Sequence, residues 1–415
     1  MPEPITTRCC IAGGGPAGVM AGFLLARAGI DVVVLEKHAD FFRDFRGDTI
    51  HPSTLEVMHE LGLLDEFLML PHSKAVHLGA QIGETFVPLA DLSHLPTRCK
   101  FVALMPQWDF LDFLARQGRR YPGFHLMMGA EAIGLLRDGD AVTGVTATTA
   151  DGGPDETVEI RAELVIAADG RSSTLRSLAG FEPQEFGAPM DVLWMRLSRR
   201  AGDPTDSLGR LDAGAMMVLI NRNEYWQCAY LIPKGGFDKV RAAGLEAFRK
   251  DIVRLEPVFA DRVAELKDWD DIKLLTVTVN RLTTWHKPGF LCIGDAAHAM
   301  SPIGGVGVNL AVQDAVATAN ILAPRFQAGR VTDTDLAAVQ RRREWPTRMT
   351  QRMQIIAQNR VVASVLSATR TLRPPLALRL FSMFPVLQRI PARVMGMGFR
   401  PEHVRTSPAP SPSPH

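Results

Sequence analysis

The chain has 415 residues, of which 46% are hydrophobic and 22% charged, an ordinary globular composition with length for two or three cores. Its 46 basic and 45 acidic residues leave a net charge of +1, which gives no electrostatic reason for a nucleic-acid partner. The five cysteines (Cys9, Cys10, Cys99, Cys228, Cys292) are odd in number and lack metal-ligand spacing, so a reduced cytoplasmic thiol set and no metal are expected.

The N-terminal apolar stretch "CCIAGGG" is short, carries no cleavage site and runs directly into a glycine loop. No run of about 18 uninterrupted apolar residues suits a spanning helix, and a cytoplasmic protein is expected. Residues 8–36 read strand, loop, helix, strand: "RCCIA" is a short buried strand and "PAGVMAGFLLARAG" has helical apolar spacing that ends at Gly29. "DVVVLE" suits a parallel strand buried on both faces. "PQWDFLDFLARQGRRYPG" is an amphipathic helix closed by Pro122-Gly123. Residues 141–170 read as a β-meander with a loop at Asp151–Asp155, then a buried strand from Leu164.

Between about Phe181 and Trp285 the texture becomes strand-like, with a hairpin turn at Asn221–Asn223 and one interrupting helix, "GLEAFRKDIVRLE". The chain then returns to strand, loop and helix at Leu291. The expected fold class is α/β (α+β overall). A Rossmann-like first domain is expected from residues 1–75, 99–180 and 286–330, with an excursion at 76–98 towards a mostly antiparallel second domain at 181–285. Residues 331–405 should form C-terminal helices. They carry thirteen Arg, no Lys and four acids. Packing over the two domains is the favoured role for this segment and membrane contact the alternative. The Pro/Ser tail at 406–415 is expected to be disordered.

Three stretches carry the chemistry. "GGGPAG" places Gly13, Gly15 and Gly18 at GxGxxG spacing between a strand and a helix, with Ala17 inside the turn. Glu36, followed by Lys37, ends the next strand. The glycines admit a tight turn, a pyrophosphate and close helix packing, and the acid can bind ribose hydroxyls. This motif does not distinguish NAD from FAD. "LVIAADGRSSTLR" puts Asp169 at a strand end, where Asp-Gly is also a common helix-capping turn. "LCIGDAAHAMSPIGGVGVNLAVQDA" adds Gly294 and Asp295 after a buried strand, and then a glycine-rich loop into a helix.

Together these stretches resemble the para-hydroxybenzoate hydroxylase family, the single-component FAD-dependent aromatic monooxygenases. The resemblance extends to "FRGDTIHPSTLEVMHELGL", where Arg46 matches a flavin-contacting arginine, and to "LMPQWDFLDFL", where Gln107 matches a glutamine near the flavin. It covers nearly the whole ordered chain. It implies bound FAD, with Asp295 on the ribityl chain and Pro302, Gly304, Gly305, Gly307, Val308 and Asn309 beside the isoalloxazine ring. NAD(P)H is implied as a transient co-substrate, since there is only one GxGxxG. Hydroxylation through a flavin C(4a)-hydroperoxide is the implied reaction, on an aromatic or conjugated hydrophobic small molecule with dioxygen.

The expected catalytic elements are Pro302, Gly304 and Gly305 of the flavin-face loop, without an assigned protein base. His298 is read as structural or solvent-facing ahead of base. Trp194, Met217, Trp226, Cys228 and Tyr230 are the expected substrate wall, although large apolar strand residues are usually core. His77, His94 and Arg98 could approach the site from the excursion at residues 76–98. Flavin halogenases are disfavoured, because "CAYLIP" has Cys228 and Tyr230 where they carry tryptophans. A lipid- or quinone-directed flavin oxidoreductase and a non-catalytic ligand-sequestering flavoprotein stay open, as does the oligomeric state.

Overall fold

Five strands from distant parts of the chain lie parallel in one sheet. In order they are Phe290–Cys292, Thr157–Ala167, Ile5–Ala12, Val32–Glu36 and Phe124–Met128. This is a computed structural model, and it describes residues 3–42, 49–150, 157–204 and 208–409. The apolar runs Cys9–Ala12, Val32–Leu35 and Leu164–Ala167 are buried, with helices packed on the sheet and the strand Ala130–Asp138 folded against Val32–Glu36. The Pro16–Arg27 helix packs directly against the Gly307–Gln327 helix on one side of this sheet. The meander Ala130–Asp138, Ala141–Thr149, Thr157–Ala167 extends the sheet with antiparallel pairs. Its expected loop at Asp151–Asp155 lies outside the described residues.

The second sheet has seven strands in the order Lys273–Leu275, Met190–Ser198, Tyr225–Pro233, Ala215–Asn221, Leu208–Asp212, His77–Ile82 and Thr85–Asp91. Every pair is antiparallel except Leu208–Asp212 with His77–Ile82. Asn223 turns one hairpin at φ 65°, in the left-handed region that Asn tolerates better than most residues. The Leu245–Leu255 helix closes one face of this sheet through Phe248, Ile252 and Leu255.

The Asp333–Ala357 helix starts at a Thr332/Asp335 capping box and runs along the Gly307–Gln327 helix. Ile303–Gln327 is long and apolar enough to cross a membrane, but it is 83% buried, a core helix. The tail departs from expectation at its start. Thr406 O accepts from Arg27 Nη1 at 2.6 Å, and Ala409 N donates to Arg27 O at 2.8 Å. An extended segment needs no core of its own when it can borrow a helix end.

Candidate active site

The glycines of the first loop are required for different reasons. A Cβ on Gly13 (φ 107°) would stand 2.3 Å from Ala168 O, and one on Gly18 would stand 1.9 Å from Gly13 O. These two let adjacent strand ends and the helix close on each other. Gly14, absent from the sequence expectation, faces Glu36: its amide donates to Glu36 Oε2 at 3.1 Å, while His38 N donates to Oε1 at 3.0 Å. Gly15 has an ordinary φ of −74°, and a Cβ there would meet nothing within 4 Å. No internal packing needs a glycine at that point, so open space lies at the start of a 12-residue helix.

The other two turns meet this cradle. Gly294 (φ 60°) brings its Cα face against Ala17, 3.0 Å from where its Cβ would lie. Asp295, one-third exposed, stands 3.6 Å from Arg171 of the "DGRSST" turn. Asp169 accepts from Leu175 N at 3.2 Å through Oδ2. Its Oδ1 is buried with no partner among the described residues, and burial raises its carboxyl pKa. An orphaned carboxylate oxygen beside the Gly13 turn is a place for a ligand donor. Lys37 lies at the edge, 3.8 Å from Glu131 and more than half exposed.

The loop Pro302–Val306 enters the Gly307–Gln327 helix. The first bond of that helix is Leu310 N to Val306 O at 2.9 Å, and the amides of Gly307, Val308 and Asn309 have no acceptor among the described residues. Gly307, like Gly15, has open space where a Cβ would be. Gly305 (φ 61°) differs from expectation: what a side chain would strike is Thr49 Oγ1, 2.3 Å away, which itself donates to Gly305 O at 2.7 Å. Gly304 (φ 77°) serves the turn. The side chain of Asn309 is already engaged. It accepts from His51 N at 2.8 Å and Thr54 Oγ1 at 2.7 Å and donates to Thr49 O at 3.1 Å, which leaves its backbone N–H for a ligand.

The structure buries most of the expected substrate wall on the sheet face turned away from this loop. Strand side chains alternate, and Leu193, Met195, Met217, Trp226, Cys228 and Tyr230 all share the face closed by the Leu245–Leu255 helix. Tyr230 packs edge-on against Phe248 at 5.1 Å and is pushed up to about 12 by burial. Trp226 Nε1 donates to Asp203 at 3.0 Å, and burial raises the Cys228 thiol. Only Trp194 lies on the opposite face. There Trp194, Met216, Val218 and loop residue Ile303 pack against one apolar cluster, and Ile220, Leu104 and Leu92 lie in the adjoining one.

The FAD-binding domain family matches residues 6–353. A 6-methylpretetramide 4-monooxygenase from Streptomyces rimosus is 30% identical over 94% of this chain and 92% of its own length. The chain belongs to the FAD-dependent aromatic monooxygenases. A rifampicin monooxygenase from Streptomyces venezuelae is 27% identical over 74% of the chain, which spans 61% of that relative. The solved structure of PqsL, a probable FAD-dependent monooxygenase from Pseudomonas aeruginosa, superposes with a TM-score of 0.73 at 21% identity, covering 87% of this chain and 97% of that one.

The residues of this monooxygenase fit FAD. Gly15 and Gly307 leave room, helix-start amides are open at both ends of the cradle, and Asp169 offers an unpartnered oxygen. Gln107 starts the helix Gln107–Gly118, and Arg46 lies outside the described residues. His298 is tied into the core rather than solvent-facing. It is buried, with Nε2 2.6 Å from Asp314, which also receives Arg343 Nε at 2.9 Å and Gly294 N at 3.1 Å. Burial opposes ionisation of Asp314, but His298 and Arg343 outweigh it and hold the carboxyl below its ordinary value.

Sequence reading missed three residues that shape the loop. Besides Thr49, they are His51 and Gln354. Gln354 Nε2 donates to Ser301 O and Ile303 O, each at 2.8 Å, and so spans Pro302. His51 is buried with Nδ1 2.7 Å from Met395 O, and burial lowers its pKa to about 4. A signal for Gln354 was present. Gln340, Thr347, Gln351, Gln354 and Gln358 recur at helical spacing, and all are buried.

Proposed function

We propose that this enzyme hydroxylates a phenol of several fused rings, using NAD(P)H and dioxygen, with the substrate lying between the Pro302–Gly305 loop and the Trp194 face of the second sheet. One observation carries the reading: Ile303 of that loop and Trp194, Met216 and Val218 of the sheet pack on the same apolar cluster. A broad, flat apolar wall suits a planar polycyclic ring system better than a small polar one. The pretetramide-directed name of the 30%-identical relative supports the same class.

Bound FAD supplies hydride acceptance and oxygen activation. The chain supplies the setting. The Gly13–Gly18 turn and helix start hold a pyrophosphate, Glu36 holds ribose hydroxyls, and Asp295 and Asp169 hold the polar stretch between. The amides of Gly307, Val308 and Asn309 stabilise negative charge on a reduced ring. Trp194, Met216, Val218 and Ile220 keep water from the reacting face.

The test is aerobic NAD(P)H consumption by the yellow protein with a panel of fused-ring phenols, simple phenols and quinones. Stimulation by a fused-ring phenol with a product one oxygen heavier is expected. Stimulation by quinones alone points to a quinone-directed oxidoreductase. Tight binding of a polycyclic compound without turnover points to a sequestering flavoprotein.

A further inference from the structure

Between Glu344 and Glu402 the chain holds nine arginines, no lysine and no acid. The Leu376–Met383 and Pro385–Met397 helices lie within this span. Their inner side is packed: Gln388, Ala392 and Gly396 are buried, and Leu378 joins the cluster of Ile82 and Val87. Their outer side is not. Leu376 is 74% exposed, Met383 69%, Val386 64% and Ile390 63%, with Leu380 and Phe384 also exposed between them. No residue of the Leu376–Met383 helix is buried. Exposed apolar residues scattered singly need no explanation, but six on one helical corner do.

Arg370, Arg373, Arg379 and Arg393 are exposed around this corner and have no carboxylate partner among the described residues. We infer that the helical corner at 376–393 docks on the surface of an anionic lipid bilayer. The apolar side chains would enter the headgroup boundary while the arginines meet lipid phosphates. A second copy of the chain fits less well. A two-fold interface sets a patch against its own copy, and this patch offers arginines with no acid in the segment to answer them. The inner side of the same helix pair carries Ala392 and Met397, which pack in the cluster shared with Trp194 and Val218. A docked bilayer would thus lie about one helix diameter, roughly 10 Å, from the apolar sheet face.

The test is co-sedimentation of the full FAD-loaded chain with phosphatidylglycerol/phosphatidylcholine vesicles and with pure phosphatidylcholine vesicles. Partition to the anionic vesicles alone is expected, weakening with salt. Arg379→Glu/Arg393→Glu and Leu380→Ser/Ile390→Ser should each lower that partition by about tenfold or more. All four positions are exposed, so unchanged flavin absorbance reports an intact fold. No partition to anionic vesicles, or partition that both double variants retain, overturns the inference. So does a light-scattering mass of two chains that Leu380→Ser/Ile390→Ser reduces to one without any vesicle binding.

Discussion

Glycines that look alike in "GGGPAG" fail in different ways when replaced. Gly13→Ala sets a methyl group 2.3 Å from Ala168 O in a left-handed backbone, so loss of folded protein is expected, measured as soluble yield and melting temperature. Gly15→Val and Gly307→Val enter open space at backbone angles any residue adopts. Those variants should fold, with melting temperatures near the parent's as apoproteins, and lose FAD by at least about tenfold in Kd. If either bound FAD as tightly as the parent, the cradle would be misplaced. Gln354→Leu removes two hydrogen bonds to the loop carbonyls that flank Pro302. At about 1 kcal/mol each, this should weaken FAD binding by up to about thirtyfold and raise the peroxide released per NAD(P)H oxidised. An unchanged peroxide fraction would make Gln354 a plain packing residue.

At the scale of elements, the parallel sheet and its glycine turns were legible because each motif is local. A buried strand, a turn and a helix start fix one another within some ten residues. The substrate wall was not legible in the same way. The sequence shows that "VLWMRLS" and "EYWQCAYLIP" alternate, but not which alternate set the Leu245–Leu255 helix covers. One residue of register separates Met216 from Met217 and Trp194 from Met195, and only packing decides between them. Gln354 illustrates a further limit. Its partners lie some fifty residues away in the chain, so its buried polar stripe announced a task without naming the loop it serves. On the closed face, Phe248→Ala should cost about 3–5 kcal/mol of unfolding free energy. Chemical denaturation of the apoprotein measures it, and substrate affinity of the protein that remains folded should be unaltered.

Across the whole molecule, charges are buried where segments distant in sequence meet. Asp314 joins the Gly294 turn, His298 and Arg343, and Arg343 reaches Glu402 at 3.2 Å. In the second sheet Arg262 clamps Asp203 at 2.6 and 3.0 Å beneath Trp226. Burial resists the Asp203 charge, yet Arg262 and Trp226 hold its pKa down to about 2. A depressed folded pKa stabilises above the unfolded value near 4, and that stability is lost as pH falls towards about 2. Asp203→Asn should flatten the fall in stability across this window in urea titrations. An unaltered pH slope would show that other carboxylates carry it.

The most direct test of the account sets one sheet face against the other. With a phenol that stimulates NAD(P)H consumption, substrate Kd is read from the perturbation of flavin absorbance in Val218→Trp and Cys228→Ala. Val218→Trp should abolish the perturbation while FAD stays bound, and Cys228→Ala should leave Kd within about twofold of the parent. The reverse pattern would place the substrate beneath the Leu245–Leu255 helix and contradict the site described here.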